Sequence, residues 1–356
     1  MTHHFLLLGA GAHGFNTYLL DVLPPLIASG RIRLSGIVEP DPTAQARALA
    51  TLGPDAPPAF VDLPSALAST APHALIVCSP YSAHEADCRL GASLGLHLFI
   101  EKPVCGDLTA VCRVIQWVDA AGVKAAVNMS ARYESEKLAF TQAVLSGAAG
   151  RVEYLFARSS WNHEANARFR ASTPHPYLTE AGVHALDLLR ICAGGRPRRV
   201  FNLAWPSPES VFQGCASSVV SFEMDNGVCC VLEGSWSVRA ALAPWRDEYI
   251  RADGSSGSLL LDRRQLCTLQ GSSITPMPCD SGGPSGTTRL FTAFLDWLDG
   301  SLPSHPTGIH SNLDCMALLF AANASAESGQ AVDVPAFLAT AQAAASVIPQ
   351  DTNFSR

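Results

Sequence analysis

The feature that most constrains this chain is an apolar run, Phe5-Leu8, followed at once by Gly9-Ala10-Gly11-Ala12-His13-Gly14. Behind a strand, the first glycine of such a pattern permits a tight turn, and the second lets the backbone approach a pyrophosphate. The third allows close helix-to-strand packing. The next residues keep a regular rhythm. Strand-like runs at 5–8, 32–38, 74–78, 96–100 and 124–128 alternate with helical stretches near 14–28, 42–52, 81–94 and 107–120. Alternation of this kind implies a mostly parallel sheet covered by helices on both faces. Pro24-Pro25 should end or kink the first helix.

After residue 130 the pattern changes, so we expect a dinucleotide-binding domain over 1–130 and a second α/β domain over 131–356. A short helix at 133–146 leads into a strand at 151–159, and a helix at 179–192 precedes strands at 198–205, 215–224, 228–240, 246–252 and 257–261. Asn226-Gly227 marks a hairpin, and the set reads as an antiparallel or mixed sheet. Residues 271–286, rich in Gly, Ser and Pro, read as a surface loop. Two closing helices, 287–299 and 311–328, carry apolar faces that should pack on the body, with the first domain as one candidate surface.

Composition excludes several classes. With 48% hydrophobic and 15% charged residues the chain is globular, and a net charge of -7 without any basic stripe argues against nucleic acid as a partner. No apolar stretch is long enough to span a bilayer. Eleven cysteines lie at ordinary intervals in apolar runs without a CxxC pair, which suits buried thiols in the cytoplasm. His3, His4, His73, His97, His305 and His310 show no ligand-like grouping, so no metal is expected.

Glu39 ends the second strand-like run, where a carboxylate can accept both ribose hydroxyls of an adenosine. It would repel a 2′-phosphate, and Pro40-Asp41-Pro42 supplies no nearby arginine, so NAD is favoured over NADP. Gly9, Gly11, Ala12 and Gly14 form the phosphate loop; His13 either touches the pyrophosphate or faces solvent. Ser79 and Pro80, at the carboxyl end of a strand, line the same crevice. His84 either reaches it or is an ordinary partly buried histidine.

Glu101-Lys102-Pro103 ends another strand at the same edge. The chain has only three lysines, so Lys102 is a candidate to hydrogen-bond a substrate hydroxyl beside the nicotinamide, with Glu101 among the cofactor residues; the alternative is a solvated pair before a turn proline. On an α-helix Glu180, His184 and Asp187 share a face. They form either a proton relay or a helix-capping glutamate, a core histidine and a surface aspartate. Trp161, Asn162 and His163, in a long polar loop, and Arg132 are further candidates to touch a hydroxylated substrate.

Together these pieces resemble the Gfo/Idh/MocA family of oxidoreductases. The resemblance rests on the glycine loop, Ser79-Pro80 with His84, Glu101-Lys102-Pro103, Gly147-Ala148-Ala149-Gly150-Arg151-Val152, Gly182-Val183-His184 with Asp187, Gly254 with Gly257-Ser258-Leu259, and Ser325-Ala326-Glu327-Ser328-Gly329-Gln330. It implies an N-terminal Rossmann fold and a C-terminal α/β domain on a large open, predominantly antiparallel sheet that commonly packs against a partner subunit, as a homodimer or homotetramer. It further implies NAD(P)-dependent oxidation of a sugar, cyclitol or related polyol, or the reverse reduction. Lys102 and His184 would stand beside the transferred hydride and Asp187 with the substrate residues. Many members place an aspartate where this chain has Glu180. Other members cleave glycosidic bonds with transient NAD chemistry or reduce double bonds and imines, and a non-catalytic dinucleotide-binding regulator is a further alternative.

Overall fold

The computed structural model describes residues 1–239, 248–279 and 282–347. Its first sheet is built from β1 (His3–Leu8), β2 (Ile32–Val38), β3 (Ala59–Phe60), β4 (Ala74–Val77), β5 (His97–Ile100) and β6 (Ala125–Val127). All its pairings are parallel, in the order β3-β2-β1-β4-β5-β6. The strands are almost wholly apolar because both faces are covered. Leu6, Leu75, Val77 and Leu98 pack on one side, and Phe5, Leu7, Ile76 and Phe99 on the other. The order reverses between β1 and β4, and an open sheet of this kind takes its ligand in the crevice beyond the strand ends at that point.

Helices α2 (Pro42–Leu52), α3 (Leu63–Ser69) and α5 (Leu108–Ala121) each begin with an aspartate, Asp41, Asp62 and Asp107, whose side chain accepts a first-turn N–H. Helix α4 (His84–Ser93) lies between the last two. The helix does not end at Pro24-Pro25. A π-helical segment, Gly14–Val22, runs straight into α1 (Leu23–Ala28), and the period changes from π to α directly before the prolines.

In the second half, α6 (Ser135–Leu145) and α7 (Val183–Ala193) flank a nine-stranded sheet. Its strands are β7 (Val152–Ser160), β8 (Pro197–Trp205), β9 (Ser217–Met224), β10 (Cys229–Ser235), β11 (Tyr249–Gly254), β12 (Gly257–Asp262), β13 (Gln265–Gln270), β14 (Ser273–Pro276) and β15 (Val332–Asp333). Every pairing is antiparallel except β7 with β10. Asn226-Gly227 does turn the chain between β9 and β10, with Gly227 at φ 86°.

Two expectations need correction. The segment 271–286 is not all loop, because β14 pairs with β13 at the sheet edge, where ladder bonds outweigh a turn-rich composition. The closing helices α8 (Gly286–Leu298) and α9 (Ile309–Ser328) are joined by a third, α10 (Val334–Ala345), an alanine-rich stretch capped by Asp333. The strand ends expected at 240 and 246–247, and loop positions 280–281, lie outside the described residues.

The closing helices unite the halves. Helix α8 sets Phe291 5.1 Å from Phe5 and 4.9 Å from Phe99, so it covers one face of the parallel sheet. All eleven cysteines are free thiols, and no described helix is long and apolar enough to cross a membrane.

Candidate functional site

The glycine loop is tight at its ends and open in its middle. Gly9 takes φ 91°, and a Cβ there would lie 2.4 Å from the Cys78 carbonyl oxygen; one on Gly14 would lie 2.0 Å from that of Gly9. A Cβ on Gly11 would meet nothing within 4 Å. The loop therefore presents an exposed cradle, followed directly by the helical segment that starts at Gly14, which suits a pyrophosphate. Glu39, buried at the end of β2, accepts from Ala10 N–H at 2.8 Å and Asp41 N–H at 3.0 Å. Each oxygen keeps acceptor capacity for a ribose hydroxyl.

An arginine does stand near this corner. Helix α2 returns Arg47 to the loop, where Nη2 donates to the Ala10 carbonyl at 3.2 Å and the guanidinium lies 4.2 Å from the Phe15 ring centroid. Inspection of 40–42 alone missed it.

Glu101 lies beneath the loop. Its Oε1 accepts from Tyr18 Oη at 2.7 Å and Asn128 Nδ2 at 2.7 Å, and His13 Nε2 lies 3.0 Å away. Burial pushes this carboxyl up, but His13, Lys102 and Asn128 together hold it well below the usual range. Glu101 thus anchors the loop from below, and His13, which half covers it, does something neither sequence alternative foresaw. The same packing brings His13, Cys78 and Glu101 within 4.8 Å of one another, a grouping the sequence did not reveal. Glu101 Oε1 already serves Tyr18, Asn128 and His13, so we read the grouping as scaffold. His84 also turns inward: its ring nitrogens lie 2.8 Å from the Ser79 carbonyl and 3.2 Å from that of Val104, fixing the Ser79-Pro80 corner. Ser79 Oγ donates to Asp87 at 2.6 Å, and Pro80 is exposed.

The two domains meet at Lys102, whose Nζ donates to the Glu180 carbonyl at 2.8 Å and lies 3.4 Å from Glu180 Oε2. Arg170 completes the clamp, with Nη2 at 3.0 Å and Nε at 3.2 Å from the same oxygen. Burial raises the Glu180 carboxyl, but Lys102 and then Arg170 outweigh it and leave it below its ordinary value. Residues Leu178–Gly182 are π-helical, so the four-residue spacing from Glu180 to His184 does not carry the side-by-side geometry of an α-helix. Glu180 faces the two cations instead. His184, on the first turn of α7, is buried; desolvation first and the Lys102 charge second push its pKa down to about 3. His163 belongs to the same neighbourhood, because its pKa is lowered by burial and then by Arg170, against Glu180.

Other expected site residues are committed elsewhere. Arg132 Nε bonds Asp187 Oδ2 at 2.8 Å, and Arg190 Nη2 bonds Asp187 Oδ1 at 3.1 Å, all three being buried. This triad staples α7 to the segment after β6 and takes up both Asp187 oxygens. Trp161 is buried against Trp236 and donates to His163 Nδ1 at 3.3 Å, so it shapes the loop from within. Asn162 is exposed but bonds the Val238 carbonyl at 3.2 Å. Sequence reasoning missed Arg170, Tyr18 and Asn128. It also missed Lys137, which pairs with Glu248 at 2.6 Å and lowers His184; with only three lysines in the chain, that position carried a signal.

Comparison with known proteins follows the same division. A family profile described as "Oxidoreductase family, NAD-binding Rossmann fold" matches residues 4–129, and one described as "GFO/IDH/MocA C-terminal domain" matches 137–260. The chain is 29% identical to uncharacterized protein y4oX of Sinorhizobium fredii, over 98% of this chain and 100% of the relative. It is also 29% identical to inositol 2-dehydrogenase of Leifsonia xyli, over 58% of this chain and 59% of the relative. In structure it resembles an oxidoreductase from Agrobacterium radiobacter solved with NAD+, L-tartaric acid and magnesium, with TM-score 0.83 and 18% identity, covering 94% of this chain and 99% of the other.

Proposed function

Because this chain belongs to the Gfo/Idh/MocA family and is an NAD(P)-dependent oxidoreductase, we propose that it transfers a hydride between NAD and a secondary alcohol or carbonyl of a sugar, cyclitol or related polyol. The observation that carries this reading is the meeting of Lys102 with Glu180 at 2.8 Å, one turn from His184, beside the strand ends that bear the open glycine cradle. The polyol named for the inositol 2-dehydrogenase relative supports the substrate class.

Gly11, Ala12 and the start of the first helical segment would hold the pyrophosphate, with Glu39 on the ribose and Ser79 and Pro80 along the crevice. When bound, the nicotinamide supplies the hydride acceptor or donor. Lys102 hydrogen-bonds the substrate oxygen and favours its alkoxide, using a donor not committed to Glu180. His184, held neutral by burial, is in the form that accepts a proton, directly or through water. Glu180 takes part through Lys102, whose position it fixes, and Arg170 keeps it ionised. His163 and Asn162 would border the substrate; Arg132 and Asp187 we assign to the scaffold.

Glu39 favours NAD over NADP, and Arg47, tied to the Ala10 carbonyl and Phe15, leaves that preference in place. A second copy of the chain is the partner we propose for the outer sheet face, where Phe201, Leu203 and Trp205 of β8 are 39%, 59% and 41% exposed. The free thiols suit the cytoplasm.

A screen of polyols and aldoses with NAD tests the activity. Accumulation of NADH with a substrate supports the dehydrogenase. Turnover of glycosides without net NADH would instead assign the hydrolytic chemistry, and no turnover of any polyol or aldose would overturn the proposal.

A further inference from the structure

We infer that the chain holds a second small-molecule site, a cavity of about 550 Å³ between the start of α5, the 173–179 segment and helices α9 and α10, suited to an uncharged hydroxylated ring such as a pyranose or cyclitol. Its size falls in the range of small-ligand pockets, roughly 300–1,000 Å³. Pro103 and Thr179 line it, but their neighbours Lys102 and Glu180 do not, nor do His184 and the glycine loop, so the cavity adjoins the reacting centre without including its groups.

The strongest sign of a ligand is His175. It is 6% exposed and lines the cavity; among the described residues Nδ1 has no hydrogen-bond partner, and Nε2 has only the Glu327 carboxylate, whose Oε1 lies 3.5 Å away. Asn323 Oδ1, on the same wall, is also buried without a hydrogen-bond partner. Buried polar groups in native folds are almost always paired, and leaving one unpaired costs free energy that a bound hydroxyl would restore. Burial lowers the His175 pKa against the opposing Glu327 charge, and the neutral ring offers one donor and one acceptor, the complement of a hydroxyl.

The rest of the wall decides the class. Phe320 and Phe337, both half-buried, supply an apolar surface for the C–H face of a ring. Among the described residues no lysine or arginine lines the cavity, whereas Asp107 and Glu327 do, so a phosphate or sugar acid would meet negative charge. An anionic dinucleotide is excluded for the same reason, and the site stands whether or not the oxidoreductase chemistry proposed above is correct.

Saturation-transfer NMR on the NADH-loaded full chain tests this, with methyl β-D-glucopyranoside and myo-inositol as neutral probes and D-glucuronate as the anionic one. Two variants remove the site. His175→Phe deletes its polar centre, and Thr340→Trp, on the exposed face of α10, fills its mouth without touching the core. At least one neutral probe is expected to give a signal that persists in Lys102→Ala and is lost in both cavity variants, while the glucuronate signal is the same in wild type and Thr340→Trp. If His175→Phe does not fold, Thr340→Trp alone carries the test. Absence of any neutral-probe signal, a neutral signal unchanged by Thr340→Trp, or a glucuronate signal that Thr340→Trp abolishes would each overturn the inference.

Discussion

Lys102 Nζ donates to the backbone carbonyl of Glu180 at 2.8 Å while lying 3.4 Å from the same residue's carboxylate, so a strand end of the first domain is bonded to the helix that carries His184. The contact that joins the domains therefore also places the ammonium. Replacing Lys102 with alanine is expected to lower kcat by about 10²–10⁴ and to leave NADH affinity nearly unchanged. Steady-state kinetics with a confirmed substrate, beside an NADH titration, checks this, and unchanged turnover would remove Lys102 from the chemistry.

Arg170 acts on Glu180, whose carboxyl it helps to hold below the ordinary value. A carboxylate depressed in this way stabilises the fold above its unfolded pKa, and that contribution is lost as pH falls through the lower folded value. Arg170→Ala should move the acid limb of kcat/KM to higher pH, with Arg170→Lys restoring most of the shift. A pH–rate profile identical to wild type would show that Arg170 does not tune Glu180.

The buried histidines set the acid stability. His305, whose Nε2 lies 2.9 Å from the Leu290 carbonyl, is pushed down to about 4 by burial. The unfolded chain binds a proton there near pH 6.5 and the folded chain does not, so stability is full above that pH and falls as pH drops towards 4. At pH 5 the loss from His305 is roughly 2 kcal/mol. The decrease in Tm between pH 7.5 and pH 5 should be smaller in His305→Gln, and an equal decrease would contradict the assignment.

Glu39→Gln keeps an acceptor for Ala10 N–H but removes the charge that opposes a 2′-phosphate. Discrimination between NAD and NADP should narrow by roughly tenfold, about 1.4 kcal/mol, as measured by the ratio of their kcat/KM values. A ratio unchanged from wild type would place the selectivity elsewhere, with Arg47 the next residue to vary.

Asp187 separates scaffold from substrate contact. Asp187→Asn leaves Arg132 and Arg190 buried beside a neutral amide and should destabilise the protein by roughly 3–5 kcal/mol without raising KM. A normal Tm with a raised KM would return Asp187 to the substrate pocket.

What the sequence made legible was whatever depends on local pattern. The glycine loop, the alternation through residue 128 and the Asn226-Gly227 turn each act over a few residues, and each is found where expected. What it concealed depends on distant partners or on a changed helical period. Glu180 and His184 were placed together by α-helical spacing, but the π-helical turn Leu178–Gly182 and the cations Lys102 and Arg170 decide where Glu180 points. Arg132 reads as a site residue from its place just past a strand and Asp187 from its three-residue spacing to His184, whereas their buried pairing becomes visible only when the segment after β6 meets α7. His175 falls in the long polar loop that reads as a binding loop, but its cavity is walled by α5, α9 and α10, all distant in the chain.

The cradle opened by Gly11 is expected to hold a nicotinamide dinucleotide. Calorimetric titration of the purified chain with NADH measures this, alongside Gly11→Val, whose Cβ meets nothing within 4 Å and whose methyl groups would stand in the cradle. Stoichiometric, saturable binding by wild type and its loss in the folded variant are expected. No binding of NADH or NADPH, and no nicotinamide dinucleotide released when the wild-type protein is denatured, would contradict the account.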